Sequence, residues 1–288
     1  MESKYPPSLI VPPQRSHKQT FILHGRGSSA SKFGHPLLAT FIAGIGTLPD
    51  AFPHAKFVFL TASRRRATIY NRSIINQWFD NWSLTEPDER QELQIDGLRE
   101  SSAFIHEMVR REAGFVGGTG NVVLGGLSQG CAASLVALLL WDGEPLGAVF
   151  GMCGWLPFGR GMGDVARGVD DVVEGEDYNP FEDSVDDDGV DEAAVLADEA
   201  RAVMYLREEL DLPVIASTPF GFQGIPIFLG HGKEDENVSV KLGREATLCL
   251  RSMGGNVRWE EYEGLGHWYS PEMLLDLVEF VKEHTAWE

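Results

Sequence analysis

A serine hydroxyl becomes a nucleophile near neutral pH only when a base can take its proton. The sequence is therefore read first for a serine in a special backbone setting and a histidine able to reach it. Gly126-Leu127-Ser128-Gln129-Gly130 supplies the serine. It follows the apolar run Asn121 to Leu124 directly and precedes an apolar segment ending near Trp141, so Ser128 stands on a strand-to-helix turn. In so tight a turn, side chains two before and two after the serine collide, which leaves glycine at both places. The backbone amide of Gln129, opening the helix, then faces the point where an oxyanion develops. Eight histidines compete for the role of base. His17 lies in a proline-rich leader, His106 and His284 lie on helices where a surface position is expected, and His35 and His54 sit in early loops. On this kind of turn the chain order is nucleophile, acid, histidine, which demands a late histidine. His267 meets it, following the run Val257 to Tyr262 through Gly264-Leu265-Gly266 and preceding the last helix. The acid is expected just after the preceding strand, where Glu234, Asp235 and Glu236 are all available. A second oxyanion amide is expected from the small-residue loop after Phe21 to Leu23, with Arg26 as the candidate. His24 and His231 read as side chains that brace their own loops.

These residues need elements to bring them together. Strand-length apolar runs recur at Thr20 to Leu23, Phe57 to Leu60, Asn121 to Leu124, Gly147 to Cys153, Ile225 to Leu229 and Val257 to Tyr262. Most are uninterrupted rather than alternating, as expected of strands buried on both faces. Helical stripes lie between them at Gln91 to Arg111, Gln129 to Leu140, Val240 to Met253 and Pro271 to His284, the last with Ser270 as its cap and Pro271 in its first turn. Alternation of this kind predicts an α/β protein, a doubly wound and mostly parallel sheet with helices on both faces. Ligands in such sheets sit at the carboxyl ends of the strands, where Ser128 and His267 are expected.

The chain reads as a single domain over 1–288, with a proline-rich leader at 1–18 and an insertion at 158–224. From Asp170 to Glu192 the insertion holds twelve acids and no Lys or Arg. That composition suits a solvated segment, for which a lid over the site is one reading. Its second half, Glu192 to Leu210, carries apolar residues at near-helical spacing and predicts a helix packed back on the body. Asp186-Asp187-Asp188-Gly189 fails as a calcium loop, because Ser184 and Val195 occupy the positions that need carboxylates.

A net charge of −19 opposes phosphate backbones, so nucleic acid is excluded as a partner, and Arg64-Arg65-Arg66 reads as a solvated loop. The longest apolar run, Cys131 to Trp141, is about half the roughly 20 residues a membrane-spanning helix needs. The leader has prolines where a signal peptide would be apolar, and Cys131, Cys153 and Cys249 sit in no zinc-site or redox-pair spacing. A cytoplasmic protein with buried thiols is the expectation.

Taken with Leu23-His24-Gly25-x-Gly27, Trp78-Phe79-Asp80, Gly125-Gly126-x-Ser128-Gln129-Gly130, Trp155-Leu156-Pro157, His231-Gly232-x-x-Asp235 and Tyr262-Glu263-Gly264-x-x-His267, the sequence resembles the acyl-protein thioesterase family. That family is also described as lysophospholipases or carboxylesterases of the α/β-hydrolase fold. The resemblance implies a Ser128, Asp235, His267 triad and selects Asp235 from the three acids. It implies oxyanion amides at Arg26 and Gln129, an acyl groove near Trp78, Phe79, Trp155 and Leu156, and neither metal nor organic cofactor. The implied substrate is an acyl ester or thioester, on a lipidated protein or a lysophospholipid. A small-ester carboxylesterase and a non-catalytic ligand-binding protein on the same fold are the alternatives. Departures are Arg26 and Ser28 in place of an apolar residue and an acid, Cys131 in place of a glycine, and Glu236 in place of a proline.

Overall fold

The computed structural model describes residues 4–24, 29–168, 198–213, 221–285 and 287. Its strands are β1 (Leu9–Val11), β2 (Gln19–His24), β3 (Ala55–Phe59), β4 (Arg64–Ala67), β5 (Ser73–Asn76), β6 (Val122–Leu127), β7 (Ala148–Met152), β8 (Ile227–Gly232) and β9 (Val257–Tyr262). The helices are α1 (Ala30–Ala39), α2 (Leu48–Ala51), α3 (Ile95–Val116), α4 (Gln129–Leu139), α5 (Gly159–Ala166), α6 (Asp198–Glu209), α7 (Val240–Ser252) and α8 (Pro271–His284).

Seven strands form one sheet in the order β1-β3-β2-β6-β7-β8-β9, parallel except for β1, which runs antiparallel to β3. Alternate residues of a strand face opposite sides, and the core divides accordingly. Val122 and Leu124 of β6 join α3, α4, α6 and α7 on one face, whereas Val123 joins α1, α2 and α8 on the other. All six residues of β6 are buried. This is the doubly wound α/β-hydrolase architecture.

The differences from sequence expectation have local causes. The helix expected at 91–111 occupies Ile95–Val116, because its apolar stripe continues through Ala113 and Val116 until Gly117 turns left-handed at φ 79°. Arg64-Arg65-Arg66 is not a loop but strand β4, paired with β5. Asp80 ties down the end of that hairpin by accepting the Thr68 N–H at 2.8 Å. In the leader, Leu9–Val11 uses the free edge of β3 to become a strand. The helix expected from Glu192 is seen over Asp198–Glu209, with Val203, Leu206 and the adjoining Leu210 buried. The acidic run itself, Asp170 to Glu192, lies outside the described residues.

Candidate functional site

Three loops leave the carboxyl ends of β6, β8 and β9 within reach of one another. After β6 the backbone of Ser128 is held at φ 59° and ψ −125°, a strained conformation for a residue with a side chain. Two backbone bonds hold it there: the Ser128 N–H donates to Met152 O at 2.8 Å, and the Ala132 N–H donates to Ser128 O at 3.1 Å. Glycine at 154 lets the chain leaving β7 pass close behind, since a Cβ there would lie 2.4 Å from Cys131 Sγ and 3.1 Å from Ser128 O. As the first residue of α4, Gln129 has a backbone N–H with no carbonyl one turn back inside the helix. Its side chain is engaged elsewhere, with Oε1 accepting the Trp78 N–H at 3.0 Å and Nε2 donating to Phe79 O at 2.8 Å.

The turn after β9 is clamped to the end of β8. The Lys233 N–H donates to Tyr262 O at 3.0 Å and the Glu234 N–H to Leu265 O at 3.1 Å. Only glycine fits at 232, where a Cβ would lie 2.1 Å from Leu265 O. This clamp carries His267 to the other two residues. His267 Nδ1 lies 2.7 Å from Asp235 Oδ2, and His267 Nε2 lies 2.9 Å from Ser128 Oγ. Of the three acids open to sequence, Asp235 is the one at that distance.

Electrostatics assign the protons. Burial acts to raise the pKa of Asp235, but hydrogen bonds from His231, His267 and the Val238 backbone, with the charge of His267, hold it well below the usual carboxylate range. The carboxylate is therefore ionised and can only accept. Its Oδ1 takes the N–H groups of Asn237 and Val238, each at 2.9 Å. Nδ1 of His267 must then carry a hydrogen, which leaves Nε2 bare to accept the Ser128 hydroxyl.

The remaining expected residues divide. Trp155 and Leu156 line a cavity of about 360 Å³ between α5 and α7, with Leu242, Ala246 and Cys249 in the same wall. Trp78 and Phe79 have no exposed surface. They are pinned between helices: Ser101 of α3 donates to Trp78 O at 2.7 Å, and a Cβ at Gly97 would lie 2.4 Å from Phe79 Cα. Phe79 stands behind the cavity wall, edge-on to Trp155 with ring centroids 5.9 Å apart. Arg26 lies outside the described residues. His24, the last residue of β2, pairs with Gly126 of β6, two residues before Ser128.

Sequence reasoning understated two residues. His231 is fully buried with Nε2 at 3.2 Å from Asp235 Oδ2, and Cys153 donates its thiol to Trp268 O at 3.2 Å behind the His267 turn. The four-residue spacing of His231 and Asp235 was the available signal.

Comparison with known proteins follows the same outline. The chain matches a family model described as Phospholipase/Carboxylesterase over residues 6–171 and 210–285. It is 22% identical over 281 residues to acyl-protein thioesterase 1 of Yarrowia lipolytica, spanning 96% of this chain and 97% of that one. With acyl-protein thioesterase 1 of Candida albicans it shares 24% identity over 262 residues, 90% of this chain and 89% of the other. Among solved structures, Zea mays acyl-protein thioesterase 2 superposes with a TM-score of 0.66 at 20% identity, covering 97% of this chain and 99% of that one.

Proposed function

We propose, from the premise that this chain belongs to the phospholipase/carboxylesterase family, that Ser128, His267 and Asp235 are the working parts of a serine hydrolase cleaving esters or thioesters. The observation that carries the reading is the continuous path of 2.9 Å and 2.7 Å from the Ser128 hydroxyl through His267 to Asp235.

Ser128 Oγ attacks the acyl carbonyl as its proton passes to His267 Nε2. Asp235 stays ionised and stabilises the imidazolium. The amides of Gln129 and Arg26 hold the oxyanion, each contributing about 3 kcal/mol to the transition state. His267 then gives its proton to the departing alcohol or thiol. Water, deprotonated by the same imidazole, attacks the acyl-enzyme and releases the acid. These steps use no metal or organic cofactor.

Trp155 and Leu156 support an acyl-binding role for the cavity, and Trp78 and Phe79 support its wall from behind. The names of the relatives favour a thioester on an acylated protein as the natural substrate, with lysophospholipid second. Charged groups at the cavity, among them Asp88, Arg160 and Asp164, favour a small-ester carboxylesterase instead. No described helix is long and apolar enough to cross a membrane. Three free, buried cysteines support a reducing, cytoplasmic setting.

A fluorophosphonate probe tests the site directly. Covalent labelling at Ser128, found by peptide mass spectrometry in folded protein and abolished in His267→Ala, is the expected result. Folded protein that takes no label at Ser128 would count decisively against the reading.

A further inference from the structure

Asp235 Oδ2 has a second histidine neighbour. His231, at the end of β8, places Nε2 at 3.2 Å from that oxygen and at 2.8 Å from Val238 O. Both neighbours are acceptors, since Asp235 is ionised and a carbonyl has no proton. Nε2 must therefore carry the hydrogen, shared between the two oxygens. Nδ1 is then bare, and it is buried with no hydrogen-bond partner among the described residues.

The fold keeps the ring in this orientation. Gly243 of α7 passes directly over it, so that a Cβ there would lie 2.5 Å from Nδ1 and 2.5 Å from the Trp259 ring. Free space of only about 10 Å³ remains between the ring, Gly243 and Cys131, too little for the imidazole to turn over. The titratable groups around the ring are Asp235 on its own loop, Cys153 from the end of β7 and Cys131 from α4, whose thiol pKa burial raises. His267, from the turn after β9, lies on the far side of Asp235. Burial pushes the Cys153 thiol up to about 12, so it is neutral at working pH. From α7 and β9 the ring meets Gly243 and Trp259, which carry no charge, and Glu261, the register partner of His231 on β9, has its charge paired with Arg244 of α7 at 2.6 Å.

Resting on the triad reading above, we propose that His231 is a positioning residue: its Nε2–H holds the Asp235 carboxylate toward His267 and draws charge from the oxygen that His267 uses. Losing that donor leaves Oδ2 freer to move and more negative. Freer movement costs turnover. The added charge stabilises the imidazolium of His267, so the acidic limb of the rate profile moves to higher pH. His231 touches no substrate, so the effect falls on kcat and leaves KM in place.

The test compares His231→Leu, which removes the donor, with His231→Gln, whose amide nitrogen can replace Nε2. His231→Leu is expected to lower kcat about 10- to 100-fold, the range of a hydrogen bond to a charged group. Its acidic limb is expected to move to higher pH, and His231→Gln to restore both toward wild type. Folded variants that match wild type in kcat and pH limb overturn the proposal. So does an equal loss in both, which would leave packing alone. If His231→Leu does not fold, ¹⁵N-histidine NMR of the wild type decides. An Nε2–H tautomer at His231, with a resonance that moves as His267 gains its proton, supports the coupling. An Nδ1–H tautomer, or a resonance that stays still, overturns it. Activity retained by Ser128→Ala would sink the triad reading itself, whereas an inactive Ser128→Ala beside an unaffected His231→Leu sinks only this inference.

Discussion

The rim at the ends of β6, β8 and β9 and the wall between α5 and α7, linked along the chain by Gly154 behind Ser128 and Trp155 in the cavity lining, are held by different forces. At the rim, Ser128, Asp235 and His267 are fixed by backbone hydrogen bonds, by a carboxylate with donors on both oxygens, and by glycines whose replacement would drive a Cβ into a neighbouring chain. The wall rests on side chains, and its ion pairs Arg167 with Asp164 at 2.6 Å and Arg160 with Asp88 at 3.9 Å are open to solvent. Exposed pairs of that kind contribute only about 0 to 1 kcal/mol. The rim therefore has one geometry, whereas the wall can be rebuilt by substitution. Under the proposed function, chemistry belongs to the first and substrate preference to the second.

Substitutions at the rim should produce the largest effects. Ser128→Ala is expected to lower turnover on the order of a millionfold if the three side chains act as a unit. Asp235→Asn should cost about ten-thousandfold by allowing the wrong His267 tautomer. Both follow from single-turnover rates on a p-nitrophenyl ester. An Asp235→Asn variant within tenfold of wild type would remove that carboxylate from the triad.

Changes in the wall should alter preference instead. Each methylene buried in the cavity is worth about 0.8 kcal/mol, roughly a fourfold gain per added carbon. Activity should climb from acetyl to longer p-nitrophenyl esters, and Ala246→Phe, which fills the cavity, should flatten that series while leaving acetyl turnover near wild type. A flat series in the unaltered protein would favour the small-ester reading.

The smallest expected effect compares one thiol from each region, Cys153 behind the rim and Cys249 in the wall. Burial raises both from an ordinary value of 9.0 to about 12. A folded pKa above the unfolded one gives stability that is complete below pH 9 and lost as pH rises towards 12. Urea midpoints should fall across that window, and less steeply in Cys249→Val. Equal slopes in the two proteins would show that the wall thiol ionises as easily folded as unfolded.

Much of this was legible before the fold was known. Uninterrupted apolar runs marked the central strands, and Gly126 and Gly130 marked the turn at Ser128. Chain order, with the glycine turn after β9, singled out His267 from eight histidines. What escaped was set by contacts between distant segments. Strand β1 exists only because β3 leaves an edge unpaired, and the arginine strand β4 only because β5 lies beside it and Asp80 anchors their end. The resemblance put Trp78 and Phe79 near the acyl groove, but the approach of α3 at Gly97 buries them completely.

By itself, the order of residues determined the strand and helix alternation, the glycine-flanked turn at Ser128 and the late histidine, because each is a local pattern of side-chain size, polarity and backbone freedom. Choosing Asp235 over Glu234 and Glu236 without a resemblance needed the tertiary structure. So did finding a second histidine on the same carboxylate oxygen. Both depend on the register that sets Gly232 beside Tyr262, and strand register is a relation between segments that no single segment contains.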